Sequence, residues 1–312
     1  MPPLPKCLLL PIDGSEEALK PVELLRRLYP DRSRISIILF YSPPSLPPAY
    51  QGKTTSPEQL KHKQQLLASR EQETRAVFER GKKVLIREGF LSDMIEEHVQ
   101  ERQASSAKDA CLLANRKKVD AVLVQKRFTG SLESFLTNDP THGLLDHCQV
   151  NPVWLTEGTI DASHLAVCIT NEQASLGAAD HAAFMLSGTN VRVTLLHLAR
   201  TISRPATSPA TFISAELEKW LITPEGRQVK PFLVEAHDLL QREGIDDEKI
   251  TITVLPSRGK PASEILSYCR EAGIGIVVLG HSPPTGIKGF FQGSVTKKIL
   301  ADLKNMAVWV NQ

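Results

Sequence analysis

The chain has 312 residues, 41% of them hydrophobic, and 37 Lys and Arg balance 35 Asp and Glu to a formal net charge of +2. That length accommodates two domains of ordinary size, and that apolar fraction is enough to fill their cores. A balance so close to neutral gives no electrostatic reason to expect a nucleic-acid or anionic-membrane partner.

The first strand expected is Cys7 to Ile12, turned by Asp13-Gly14-Ser15-Glu16 into a helix whose apolar positions Leu19, Val22, Leu24, Leu25 and Leu28 follow a helical stripe. Arg34 to Tyr41 reads as a second strand, and Pro43 to Pro57 as an exposed excursion too rich in proline for regular structure. Lys61 to Glu88 is a long charged helix with Leu66, Leu67, Val77, Phe78 and Val84 on its inner face. Met94 to Glu101 is a third strand, Ser105 to Arg116 a helix, Val119 to Val124 a fourth strand and Asn151 to Leu155 a short fifth. Thr156 to Ser163 is polar and reads as a linker.

The order then recurs. Val191 to Leu196 echoes Ile35 to Phe40, IGIVVL from Ile274 echoes VDAVLV from Val119, and AVWV from Ala307 echoes PVWL from Pro152, at an offset of about 155 residues. Alternating strands and helices predict an open parallel α/β sheet covered on both faces. The five cysteines, Cys7, Cys111, Cys148, Cys168 and Cys269, have no CxxC spacing and read as small apolar residues of a reduced compartment, not as a disulfide frame or zinc site. With no signal-peptide pattern and no apolar run of membrane-spanning length, a soluble cytoplasmic protein is expected.

The richest stretch is Ile274 to Leu300. A buried strand, Ile274 to Leu279, ends at Gly280, a loop runs from His281 to Gln292, and Gly293-Ser294 opens a helical pattern at Val295, Ile299 and Leu300. A helix start exposes unpaired N–H groups and the positive end of the peptide dipoles, so Gly293 and Ser294 suit a phosphate. They suit equally a plain turn in which Ser294 is the N-cap.

These residues carry a resemblance to the universal stress protein family, whose G-x2-G-x9-G-[ST] loop wraps the ribose and phosphates of ATP. Gly280, Pro283, Gly293 and Ser294 fall at those spacings, Pro283 departing from the glycine of the second place. LLLPIDGSEEALK from Leu8, TVLPSRGKPASE from Thr253 and LGAADHAAFML from Leu176 are similar to further parts of the family. The resemblance implies two tandem doubly wound parallel five-stranded sheets of the adenine nucleotide alpha-hydrolase-like kind, pseudo-two-fold related, in domains 1–156 and 163–312. It also implies that the last strands, Val153-Trp154-Leu155 and Val308-Trp309-Val310, pair within the chain, with a homodimer as a further expectation.

Each half lacks part of the site that the resemblance implies. The first keeps Asp13, which in the family bonds the adenosine, but has Gln125, Phe128 and Asn138 at the glycine positions and Asp139 at the hydroxyl position. The second keeps most of the loop but places Thr170 where the Asp stands. One weak ATP or AMP site is therefore expected, in the second half. Leu198 would meet the base, Gly280, His281 and Ser282 would flank the ribose, and Gly293, Ser294 and Val295 would hold the phosphates. No metal ligand set and no catalytic residue stands out, so a non-catalytic regulatory or interaction module is expected, the alternative being an ATP-binding switch with slow hydrolysis.

Overall fold

The computed structural model describes residues 4–51, 56–126, 148, 150–280 and 292–311, the side chains of 292–294 excepted. The protein has the α/β fold expected, dominated by parallel strands, and packs as two compact units, Pro5–Arg26 with Asp31–Asn151, and Pro152–Gln312 with Arg27–Pro30.

In the amino-terminal unit β1 (Lys6–Ile12), β2 (Ile35–Tyr41), β3 (Ile95–Val99) and β4 (Ala121–Gln125) run in the order β3-β2-β1-β4, all parallel. The central strands are apolar without alternation because both faces are covered: Leu8, Leu9 and Leu10 are all wholly buried. Helix α1 (Pro21–Leu28) follows a 3-10 turn over Glu17–Leu19, and α2 (Pro57–Arg87) starts with Pro57 in its first turn, where a missing N–H costs nothing. The stripe of α2 is Val77, Phe78, Gly81 and Leu85. Leu67, expected inside, is 43% exposed. A single helical turn, Pro48–Gln51, interrupts the proline-rich excursion. Helix α3 (Ser106–Lys117) is capped by the Ser105 hydroxyl, which accepts the Lys108 N–H at 3.2 Å.

The cysteine reading needs correction. Cys111 of α3 and Cys148 form a disulfide with an S–S distance of 2.03 Å, and Cys7, Cys168 and Cys269 are free. A separation of 37 residues has no local signature, so the pairing was invisible in spacing alone.

In the carboxy-terminal unit β6 (His164–Cys168), β7 (Arg192–Ala199), β9 (Ile250–Pro256), β10 (Ile276–Gly280) and β11 (Met306–Asn311) form a parallel set in the order β11-β10-β6-β7-β9. Antiparallel strands flank it: β8 (Ala206–Pro209) on β9 and β5 (Val153–Glu157) on β11. The helices are α4 (Gln173–Leu186), α5 (Ala215–Leu221), α6 (Pro224–Arg242), α7 (Pro261–Glu271) and α8 (Gln292–Ala301). The expected linker is shorter than its polarity suggested. Thr156 and Glu157 belong to β5 and are buried, and a Glu157 carboxylate oxygen accepts the Asn305 N–H at 2.5 Å.

Strands β5 and β11 are fully buried from Val153 to Leu155 and from Ala307 to Val310. Trp154 stands opposite Trp309, their rings stacked at 3.8 Å and within 2° of parallel. Trp154 Nε1 donates to His181 Nε2 of α4 at 3.0 Å, whereas the buried Trp309 Nε1 has no partner among the described residues. An accepting Nε2 requires a neutral imidazole with its proton on Nδ1. Burial pushes the His181 pKa down to about 3.

Two predictions follow from this packing. Alkylation of the denatured, unreduced protein should modify the three free thiols only, and Cys148→Ser should lower stability by about 3–4 kcal/mol, the loop-closure value for such a ring. The second concerns acid. Because the folded pKa of His181 lies below the ordinary value of 6.5, the unfolded chain takes up a proton first, and stability held above about pH 6.5 is lost toward pH 3 at up to about 1.4 kcal/mol per pH unit. Urea midpoints measured from pH 7 to 4 should therefore fall more steeply for the wild type than for His181→Gln, whose amide oxygen still accepts the indole N–H. Equal slopes would refute it.

Candidate functional site

In a parallel sheet, ligands lie outside the carboxyl ends of the strands, where the strand order reverses. Strand β6 is that place in the carboxy-terminal unit, with β7 on one side and β10 on the other. A cavity of about 490 Å³ opens there, walled by Cys168, Leu198 and Gly280 at the strand ends. First-turn residues of four helices complete it: Ser175 of α4, Glu225 of α6, Pro261 of α7 and Val295 of α8.

Gly280 is needed because a helix crosses it closely. A Cβ at that position would lie 2.1 Å from the Ala174 carbonyl oxygen, inside α4, which runs unbroken from Gln173. Strand register identifies the equivalent in the other unit. Leu8 pairs with Ala121 there as Leu165 pairs with Ile276 here, so Asp13 corresponds to Thr170, and Gln125 to Gly280. With Gln125 in that place the chain does not begin an α-helix at once but makes the Glu17–Leu19 turn and starts α1 only at Pro21. Asp13 itself closes this turn: its Oδ1 accepts the Ser15 N–H at 3.0 Å and the Ser15 hydroxyl at 2.6 Å.

The same equivalence extends to the helix after the third strand. Asp109 Oδ2 accepts the Gln103 N–H at 3.0 Å, and Glu264 Oε1 accepts the Arg258 N–H at 2.8 Å. In both, the second carboxyl oxygen is buried without a partner among the described residues.

Polar groups at the cavity are mostly committed to local structure. The Ser175 hydroxyl donates to the carbonyls of Thr170 and Glu172, at 3.0 and 2.8 Å. Glu225 accepts the N–H groups of Arg200 and Thr201, at 3.0 Å each, and the Thr201 hydroxyl. Burial would raise its pKa, but these bonds, the Thr201 hydroxyl first, outweigh it and hold Glu225 below the ordinary carboxylate value. Burial raises the Cys168 thiol, which is thus held as the unreactive acid. His197 Nδ1 donates to the Ile169 carbonyl at 2.8 Å, and burial lowers the imidazole pKa, so the ring is neutral.

Of the residues singled out from sequence, Thr170, Leu198, Gly280 and Val295 come together at this one cavity. Gly293 and Ser294 lie in the first turn of α8, which begins at Gln292, so Ser294 is inside the helix rather than its N-cap. His281, Ser282 and Pro283 lie outside the described residues, as do Phe128, Asn138 and Asp139. His197, Arg200 and Glu225 were missed. Glu225 had a signal, the helix-start pattern Thr223-Pro224-Glu225, in which the Thr223 hydroxyl accepts the Gly226 N–H at 3.1 Å. His197 had none, because a histidine within an apolar strand reads as core.

Residues 162–310 match the universal stress protein family. Universal stress protein YxiE of Bacillus subtilis is 26% identical over 145 residues, covering 43% of this chain and 89% of that protein. The fold is similar along nearly the whole chain to a universal stress protein from Archaeoglobus fulgidus, with a TM-score of 0.60 at 12% identity, covering 98% of this chain and 96% of the other. A family protein from Arabidopsis thaliana, solved with AMP bound, covers 48% of this chain at 15% identity and a TM-score of 0.31, with 90% of its own length matched. Among the described residues no helix is long and apolar enough to cross a membrane. The likeness in sequence to the universal stress protein family thus lies in residues 162–310.

Proposed function

We propose that the chain is a tandem of two universal stress protein domains, 1–156 and 163–312, acting in the cytoplasm as a non-catalytic regulatory or interaction module with one weak adenine-nucleotide site, in the second domain. The observation that carries the site is the cavity at the end of β6, bordered by four of the residues to which the family resemblance gives nucleotide contacts. Leu198 meets the base, Gly280 adjoins the ribose, and the first turn of α8, with Gly293, Ser294 and Val295, receives the phosphates. The tandem reading is supported by the common strand order and register of the two units, β3-β2-β1-β4 in one and β9-β7-β6-β10 in the other, and by the nearly full-length likeness in fold.

The site is weak because Thr170 offers a neutral hydroxyl where the family has a carboxylate, a loss on the order of 1–3 kcal/mol. We read it as non-catalytic because, among the described residues of the cavity, the Glu225 carboxylate is held by its donors and the Cys168 sulfur is kept as the thiol.

Titration with labelled ATP tests this reading. Thr170→Asp should tighten binding about tenfold, and Gly293→Val should abolish it by placing a branched side chain in the first turn of α8. No binding to either the wild type or Thr170→Asp would refute the site, and phosphate release above the uncatalysed rate would favour the hydrolytic switch instead.

Domain pairing in this proposal runs through Val153–Leu155 and Val308–Val310, whose antiparallel register closes the free side of β11. A fragment of residues 163–312, which lacks β5, should self-associate in sedimentation, whereas one of residues 152–312 should not. A monomeric shorter fragment would refute that role for the strand.

A further inference from the structure

Beside the residues already assigned, the wall of the cavity contains a histidine whose hydrogen bonding is half complete. His197 lies on β7 immediately before Leu198 and is 8% exposed. Its Nδ1 is used by the Ile169 carbonyl at 2.8 Å, and a carbonyl can only accept, so the proton is on Nδ1 and Nε2 is a bare acceptor. That Nε2 is buried and has no partner among the described residues. The ring cannot turn to relieve it without breaking the Ile169 bond, and it packs at 5.3 Å against the indole of Trp220. A buried acceptor left unpaired carries a desolvation penalty, and such a group is satisfied when something brings it an N–H or O–H.

We propose that His197 is a specificity-determining residue of this cavity, its Nε2 accepting a hydrogen from the exocyclic amine of a bound 6-aminopurine nucleotide. The inference rests on the nucleotide reading above and adds what the glycine loop does not supply. Backbone amides of a helix start recognise phosphate whatever base is attached, so discrimination among bases needs a directed acceptor or donor at the base end of the cavity. The side chain of Leu198, the neighbour on the strand, offers the base an apolar contact. His197 offers direction: an acceptor fixed in place by its own second nitrogen and by Trp220, which rejects a ligand lacking the donor because its desolvation then stays uncompensated. No charge is involved, since the imidazole is neutral, so the preference does not depend on salt.

The test needs no variant at first. Binding of AMP and of purine riboside 5′-monophosphate, which has hydrogen in place of the amine and is otherwise the same, is measured on the full-length wild type by calorimetry. AMP should bind at least about tenfold more tightly. In His197→Phe, which keeps an aromatic ring against Trp220 and is checked for folding by its thermal transition, the two nucleotides should bind alike. Equal binding of both by the wild type overturns the inference and leaves the nucleotide site standing. A preference that survives His197→Phe assigns the amine to another group and also overturns it. Absence of AMP binding removes the site itself, and this inference with it.

Discussion

The carboxy-terminal sheet depends on what covers the outer side of β11. That strand is bonded to β10 along one side, and a bare second side would expose a row of N–H and C=O groups on a segment whose residues from Ala307 to Val310 are wholly buried. Strand β5 closes it in antiparallel register, bringing Trp154 against Trp309 and both against His181 of α4. Helix α4 is also the element whose backbone passes over Gly280. The packing that seals the sheet edge and the close approach that shapes the cavity thus share one helix.

Much of the fold was legible because buried parallel strands advertise themselves. Runs such as Leu8–Leu10 and Ile276–Leu279 have no polar alternation, and Asp-Gly, Gly-Lys-Pro and Gly-Ser turns separate them from helical stripes. What escaped was set by long-range partners. Thr156 and Glu157 look like linker and are strand, because Asn305 and β11 satisfy them. Cys111 and Cys148 look like isolated thiols and are joined. Ser294 looks like a cap and is inside its helix, since hydroxyl and glycine residues suit the first turn as well as the position before it.

The candidate site was legible in part for the same reason. Thr170, Leu198, Gly280 and Val295 sit at strand ends or a helix start, positions that the pattern of strands and turns marks out. His197 and Glu225 reach the same cavity from a strand interior and from a distant helix start, and only the tertiary fold shows that they are neighbours. Comparison of the units separates scaffold from pocket. The carboxylate that grips a backbone N–H six residues upstream is kept in both, as Asp109 and Glu264, whereas the glycine over the helix start is present only as Gly280.

The stacked indoles are unequal: the Trp154 N–H is bonded to His181, and the Trp309 N–H goes unanswered among the described residues. In an assembly of identical subunits about a two-fold axis, every residue at the contact meets its own copy, so a change made once is felt twice and must suit both sides. Because β5 and β11 are segments of one polypeptide, that constraint is lifted. Either tryptophan, and the helix packed beside them, is free to change alone.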